Sequence, residues 1–320
     1  MRRFLWFVII LAMLLGGCGN KNSEEDTKVY LYSIKDQTNT IVNFEKLPNR
    51  ILPISQEITE IVIDMVEPER ILAISSDALS EKSFVREKAK KIKTVYPNYA
   101  STEKIIQLKP DLVILQETQD VTKIKTLRDM GIKVAVVSSP RDMESIKQRI
   151  ISIAEIVHRE ENGGEIVAKM DRKLAAINAL IKNMRIENRR TVLAFSSNGA
   201  FGRAEGMFDN LCKTAGITNA AANAGLRRLD HLSKEQVIEL NPDYILLPKF
   251  EDKEKMPKMA KEVIEDPAYN TLKAIKLKHI ILLDEKYYRY NVSQYAADAA
   301  YILTNAVYDN KLENIELFNY

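Results

Sequence analysis

The sequence predicts an α/β protein of two lobes, each with a mainly parallel sheet, joined by one long rigid helix. Three observations predict it. Short runs rich in β-branched residues and leucine, at 51–54, 71–74, 112–115, 134–137, 192–195, 244–247 and 280–283, alternate with helical patterns, as βαβ units do. The block EKIIQLKPDLVIL at 103–115 returns 132 residues later as EQVIELNPDYILL at 235–247. Between the copies, apolar residues recur at three- and four-residue spacing from Met143 to Met184, with no Gly/Ser linker.

Composition sets the outer bounds. A chain of 320 residues suggests about two domains, and 46% hydrophobic with 28% charged residues excludes long disorder and a polytopic membrane protein. The formal charge is +3; without Arg2 and Arg3 it is 45 basic against 44 acidic residues, which gives no electrostatic case for nucleic acid. Two cysteines, Cys18 and Cys212, exclude a disulfide framework.

Arg2 and Arg3 precede an apolar run over 4–15. As a helix that run rises about 18 Å, short of a hydrocarbon core of about 30 Å, so residues 1–17 read as a secretory signal. The sequence Leu15-Gly16-Gly17-Cys18 resembles the lipobox of bacterial lipoproteins. That resemblance implies a mature chain that begins at a lipidated Cys18 and is anchored outside the cytoplasmic membrane. Residues 18–28 are polar and aperiodic and read as a flexible tether. Cys212 then lacks a partner and reads as a small buried apolar group.

Residues 29–34 and 40–44 alternate around a turn-forming Asp36-Gln37-Thr38-Asn39, a hairpin signature. A helical pattern follows the 51–54 strand through Val66. In both repeat copies a glutamate opens a short helix, where an acid suits the helix dipole. Proline then ends the helix and an apolar strand follows. Met143, Ile146, Ile150, Ile153 and Val157 mark one helix, and Gly163-Gly164 is read as a break. Ile166 through Met184 resume the period in a segment of about 22 residues, about 33 Å as a helix and long enough for a strut. The expected organisation is an N-terminal lobe at 29–162, the interlobe helix at 163–185 and a C-terminal lobe at 186–320.

Together these elements resemble the substrate-binding lipoproteins of bacterial ABC importers for iron-siderophores, haem and cobalamin. The likeness is carried in order by Pro48-Asn49-Arg50-Ile51-Leu52, Thr59-Glu60-Ile61, Arg70-Ile71-Leu72-Ala73-Ile74, the two repeat blocks, Asp209-Asn210-Leu211, Ala215-Gly216-Ile217-Thr218-Asn219, and Ser293-Gln294-Tyr295 with its closing helix. It implies two Rossmann-like lobes on a helical backbone with ligand in the cleft between them. It further implies a monomer without a resident cofactor, delivering a siderophore, haem or corrinoid to a permease dimer and its ATPases. By the same resemblance, Glu103 and Glu235 dock into arginine pockets of the permease. Two departures stand out: Pro53 precedes Ser55-Gln56 where relatives read Ser-Pro-Ser/Ala, and the only tryptophan, Trp6, lies in the signal.

Strand ends in α/β lobes face the crevice. Residues just past them, with neighbouring loops, are therefore the cleft candidates: Tyr96, Tyr99, Phe201, Arg203, Arg227, Arg228, His231, Tyr287, Tyr288 and Arg289. Tyrosine offers a flat apolar face with a polar tip, and arginine pairs with anions, a set suited to a bulky, partly anionic metal chelate. Were the ligand haem, the resemblance makes Tyr96 an iron ligand, and His231, from the other lobe, is the candidate for a second axial one. Three scattered histidines supply a free zinc or manganese site poorly. An extracellular enzyme or an adhesin on this fold is the reading from another class. The chain shows no G-x-S-x-G, H-E-x-x-H or P-loop, and GAFGRAEG at 199–206 resembles a dinucleotide loop only loosely. The expected mechanism is capture without chemistry, with a small closure because the strut resists a wide hinge.

Overall fold

The computed structural model describes residues 29–97, 100–196, 198–226, 232–250, 254–289, 291–309, 311–312 and 314–318. The N-terminal lobe opens with an antiparallel hairpin, β1 (Tyr32–Lys35) and β2 (Ile41–Phe44). Asp36, at its turn, pairs with Arg128 at 2.6 Å and accepts the Val136 amide, fastening the hairpin to the sheet. The sheet strands are β3 (Ile51–Pro53), β4 (Ile74–Ser75), β5 (Val95–Tyr96), β6 (Leu112–Gln116) and β7 (Val134–Val137). They run parallel as β3-β6-β7 and β4-β5, with a parallel bridge at Ile51–Ile71 between the two groups. The C-terminal lobe holds β8 (Thr191–Ser196), β9 (Gly199–Phe201), β10 (Thr218–Asn219), β11 (Tyr244–Pro248) and β12 (Ile280–Leu283). Its order is β10-β8-β11-β12, all parallel, with β9 folded back antiparallel on β8. GAFGRAEG is thus the antiparallel arm β9 and the turn that leads from it into the helix Met207–Thr214. Most sheet strands are buried along their length, as expected where helices cover both faces.

The repeat is geometric as well as textual. The helices Thr102–Leu108 and Lys234–Leu240 each have a serine N-cap, Ser101 and Ser233, and each ends at a left-handed residue, Lys109 or Asn241. The aspartate after each proline ties the helix end to the start of the neighbouring strand. Asp111 accepts the Asn49 and Arg50 amides at 2.8 Å, and Asp243 accepts the Thr191 amide at 2.9 Å.

The long helix spans Glu160–Ile181 and runs straight through Gly163-Gly164, so the expected break is elsewhere. The chain turns at His158, in the left-handed region at φ 56°, which caps the helix Met143–Val157. Gly163 is instead a contact point: a Cβ there would stand 2.4 Å from the Ala154 Cβ, so only glycine lets the two helices approach this closely. Along the long helix, Ile166 and Met170 enter the N-lobe core and Ile177 the C-lobe core.

A second rod accompanies it. The closing helix Tyr295–Val307 packs Tyr295, Ala296 and Ala297 into the N-lobe core and Ala299 through Val307 into the C-lobe core. The two rods are joined by Lys173 and Asp298, 2.8 Å apart and 1% and 0% exposed. Gly216, at φ +70°, brings its loop against the end of the long helix, where an added Cβ would lie 2.5 Å from Ile181. Gly216→Ala combines an unfavourable backbone with that overlap, and urea unfolding is expected to show a loss of about 2–3 kcal/mol. Cys212 is wholly buried, and burial pushes its thiol up, as befits a small core residue. Among the described residues no helix is long and apolar enough to cross a membrane.

Candidate functional site

Parallel strands send their carboxyl ends to one edge of each sheet, and the edges of the two lobes face each other across a cleft of about 610 Å³. The C-lobe wall is Pro248 and Lys249 past β11 with Asp284, Glu285 and Lys286 past β12. The N-lobe wall runs from Glu81 to Glu87, beyond the turn that follows β4. Four cationic side chains line this space, Lys82, Arg86, Lys249 and Lys286. Four acids, Glu81, Glu87, Asp284 and Glu285, balance them. Such a wall offers donors and acceptors of both signs rather than one field for a simple anion.

The lobes already touch across the cleft. Lys82 of the N-lobe approaches Glu285 of the C-lobe at 3.9 Å, a long contact with an exposed lysine that is worth little by itself. The Lys286 ammonium lies 5.1 Å from the centre of the Phe84 ring. Phe84, buried, stacks on Tyr295 at 4.4 Å and meets Tyr287 edge-on at 5.2 Å. Beneath this floor lies a smaller space of about 80 Å³ bounded by Gln56, Glu57, Glu60, Arg289 and Asn291. On the opposite side Asn210 donates to the Arg141 carbonyl at 2.6 Å, a further interlobe bond.

The sequence-derived candidates divide. Tyr287 meets Phe84 edge-on behind the cleft wall, and Arg289 borders the small space below the cleft, 3.4 Å from Glu285. Arg203 is exposed on the turn after β9, and Phe201 is half-buried, stacked on Tyr288 with ring centres 5.8 Å apart. Tyr96 and Tyr288 are corrections. Tyr96 is 1% exposed, packed in the N-lobe core with its hydroxyl donating to the Pro53 carbonyl at 2.6 Å. Burial raises its phenol, so a phenolate iron ligand is disfavoured there. Tyr288 is 2% exposed and donates to the Phe195 carbonyl, a core position. Both were legible as amphipathic residues near strand ends, but period alone does not say toward which side a tyrosine turns. Tyr99, Arg227, Arg228, His231 and Cys18 lie outside the described residues. His158 stacks on Tyr32 and His279 on Tyr244, both away from the cleft.

Sequence reasoning missed Lys82 and Phe84, which a polar stretch broken by one aromatic, EKSFVREK at 81–88, could have flagged. It also missed Asp209 and Asn219 as partners. Asn219 donates to Asp209 at 3.0 Å and to the Gly202 carbonyl at 2.6 Å, and Asp209 accepts the Glu205 amide, pinning the turn that carries Arg203. Glu103 and Glu235 are exposed at the second position of their helices. Each carboxyl is held below the usual carboxylate range by its own backbone N–H and by the cap serine, so both are charged at neutral pH.

Two parallel-sheet lobes on paired helical rods, with a mixed-charge cleft between them, form the architecture of a binding protein. The chain belongs to the periplasmic binding protein family, whose model matches residues 52–287. It is similar to the uncharacterized ABC transporter substrate-binding lipoprotein YvrC of Bacillus subtilis, 26% identical over 258 residues, covering 77% of this chain and 80% of that one. It is also similar to the molybdate-binding protein MolA of Haemophilus influenzae, 24% identical over 89% of this chain and 87% of that one. Among solved structures, the periplasmic haem-binding protein RhuT from Roseiflexus superposes with a TM-score of 0.65 at 25% identity, covering 82% of this chain and 98% of that one.

Proposed function

We propose that this chain is the extracytoplasmic substrate-binding lipoprotein of an ABC importer, anchored through Cys18, and that it captures an iron chelate, a ferric siderophore, in the interlobe cleft. The observation that carries the reading is the cleft itself: about 610 Å³, in the range of sites for organic ligands, with cations and acids in equal number. Molybdate, the ligand in the name of the relative MolA, is a small oxyanion for which this space is far too large and too mixed in charge. Haem loses support because Tyr96 is sealed in the core. The work done is binding, orientation and release, with Glu103 and Glu235 as the two grips for the permease.

Closure on the ligand is small in this reading. Two rods, rather than one hinge strand, hold the lobes, so affinity rests on preorganised contacts. A thermal-shift panel of ferric siderophores, haem, cobalamins and molybdate tests it. A ligand at a hundred times its Kd adds about 2.7 kcal/mol to native stability, read as about 2–4 °C per kcal/mol. A ferric siderophore is expected to raise the melting temperature by several degrees. A shift with molybdate or haem alone overturns the siderophore assignment.

A further inference from the structure

Below the cleft the lobes meet along a polar seam. Glu60, on the N-lobe helix Gln56–Ile63, is 2% exposed. One carboxyl oxygen accepts from the Gln56 side chain at 3.0 Å and the Phe84 amide at 3.3 Å. The other takes the Ser293 hydroxyl at 2.7 Å, from the segment that leads into the closing helix. Ser293 Oγ also stands 3.4 Å from Asn291 Oδ1. Next in line, Gln294 donates to the Glu60 carbonyl and to Asp64, and the Tyr295 hydroxyl donates to Asp64, both carboxylate contacts at 2.8 Å.

The seam is incompletely satisfied. Arg149, fully buried on the helix Met143–Val157, donates one nitrogen to the Val292 carbonyl, while its Nε and Nη1 have no partner among the described residues. Asn291 Nδ2 and Gln294 Oε1 are likewise buried and unpartnered. Buried polar groups are nearly always paired, so a seam holding four such atoms is poised between alternative pairings.

We propose that Glu60 is a proton-operated latch on this seam, holding residues 291–295 against the N-lobe when its carboxyl is neutral and loosening them when it is charged. A hydroxyl can donate or accept. With Glu60 protonated, its O–H donates to Ser293 Oγ and Ser293 donates onward to Asn291 Oδ1, a chain running from the N-lobe into the closing segment. With Glu60 charged, Ser293 must turn its proton back to the carboxylate, and the hydroxyl's bond to Asn291 is lost, leaving only the long 3.5 Å bond from the Ser293 amide.

The charges around Glu60 set the balance. On its own helix stand Glu57 and Asp64, and Asp64 is paired to Lys88 at 2.8 Å. From the helix Met143–Val157 comes Arg149, whose charge couples to Glu57 and Glu60. Tyr295 faces it from the closing helix, and Lys82, Glu285, Lys286 and Arg289 stand across the small cavity. Burial dominates and pushes the Glu60 carboxyl up to about 7, against the bonds from Ser293, Gln56 and the Phe84 amide. In an opened seam the carboxyl returns to its ordinary range. Seam opening therefore becomes easier by about tenfold per pH unit between about 4.5 and 7, and is level above that.

Amide hydrogen exchange on the full mature chain, corrected for intrinsic rates, at pH 5, 6, 7 and 8 tests the latch without any ligand, so it stands or falls apart from the importer reading. Protection at residues 292–295 and at Phe84 is expected to fall about tenfold per unit up to pH 7 and then level off. In Glu60→Gln, which keeps a donor and an acceptor but cannot ionise, the profile is expected to be flat and protected. Ser293→Ala, should the glutamine variant fail to fold, is expected to show low protection at every pH. A flat profile in the native protein, or an unchanged pH response in Glu60→Gln or Ser293→Ala, overturns the proposal.

Discussion

Replacing Lys173 by methionine is expected to destabilise the protein by about 3–5 kcal/mol in urea or thermal unfolding. Lys173 and Asp298 are both buried where the two rods cross, 2.8 Å apart. The C-terminal segment covers them: the Phe318 ring lies 4.1 Å from the Lys173 ammonium, and the Phe318 amide donates to Asp298 at 2.9 Å. Removing the lysine leaves a carboxylate in a buried site, where desolvation is no longer offset by the ammonium. The double replacement Lys173→Met with Asp298→Leu removes both charges and is expected to recover most of the loss, since well-packed apolar pairs commonly match buried ion pairs. An additive double-mutant cycle would show that the two groups do not act as a pair.

Lys173 also shows what was legible in the sequence and what was not. It lies three residues after Met170 and four before Ile177, on the buried stripe of the helix, as Arg149 lies three after Ile146 and four before Ile153. A charge on an apolar stripe signals a buried partner, but the partner, Asp298 or the Val292 carbonyl, is remote in sequence and invisible to periodicity. The parallel sheets and the repeat were legible because their causes are local: β-branched runs, an acid at a helix start, a proline that ends the helix. The start of the long helix is not legible from glycine as a breaker, because Gly163 serves close packing and His158 adopts the turn without glycine. At the cleft, strand ends point to Arg289, which borders the small space below it, and equally to Tyr96 and Tyr288, which are buried. Which of several polar residues past a strand faces the other lobe depends on how the lobes are set by the rods.

Changing both Glu103 and Glu235 to alanine is expected to abolish uptake of the chelate while leaving its affinity for the isolated protein unchanged. Each carboxylate projects from a helix whose position is tightly determined. Arg50 donates to the carbonyls of Leu108 and Lys109 at the end of the first helix, and Asn241 accepts the Lys273 amide at the end of the second. Asp111 and Asp243 then lock each helix end to its sheet. The spacing between the two acids is thus inherited from the sheets and, through them, from the rods. In the proposed docking role, two charged grips at a fixed separation would give a permease a measure of both lobes at once, and charge-assisted pairing with arginine is the stronger kind of hydrogen bond. Each single variant is expected to weaken docking on the order of tenfold and the pair on the order of a hundredfold, since the sites lie on separate lobes with separate partners. Permease binding in detergent or nanodiscs separates this step from capture, and its decline with rising salt should flatten in the double variant as the screened pairs disappear. Undiminished docking by the double variant would return both glutamates to the role of helix-start acids.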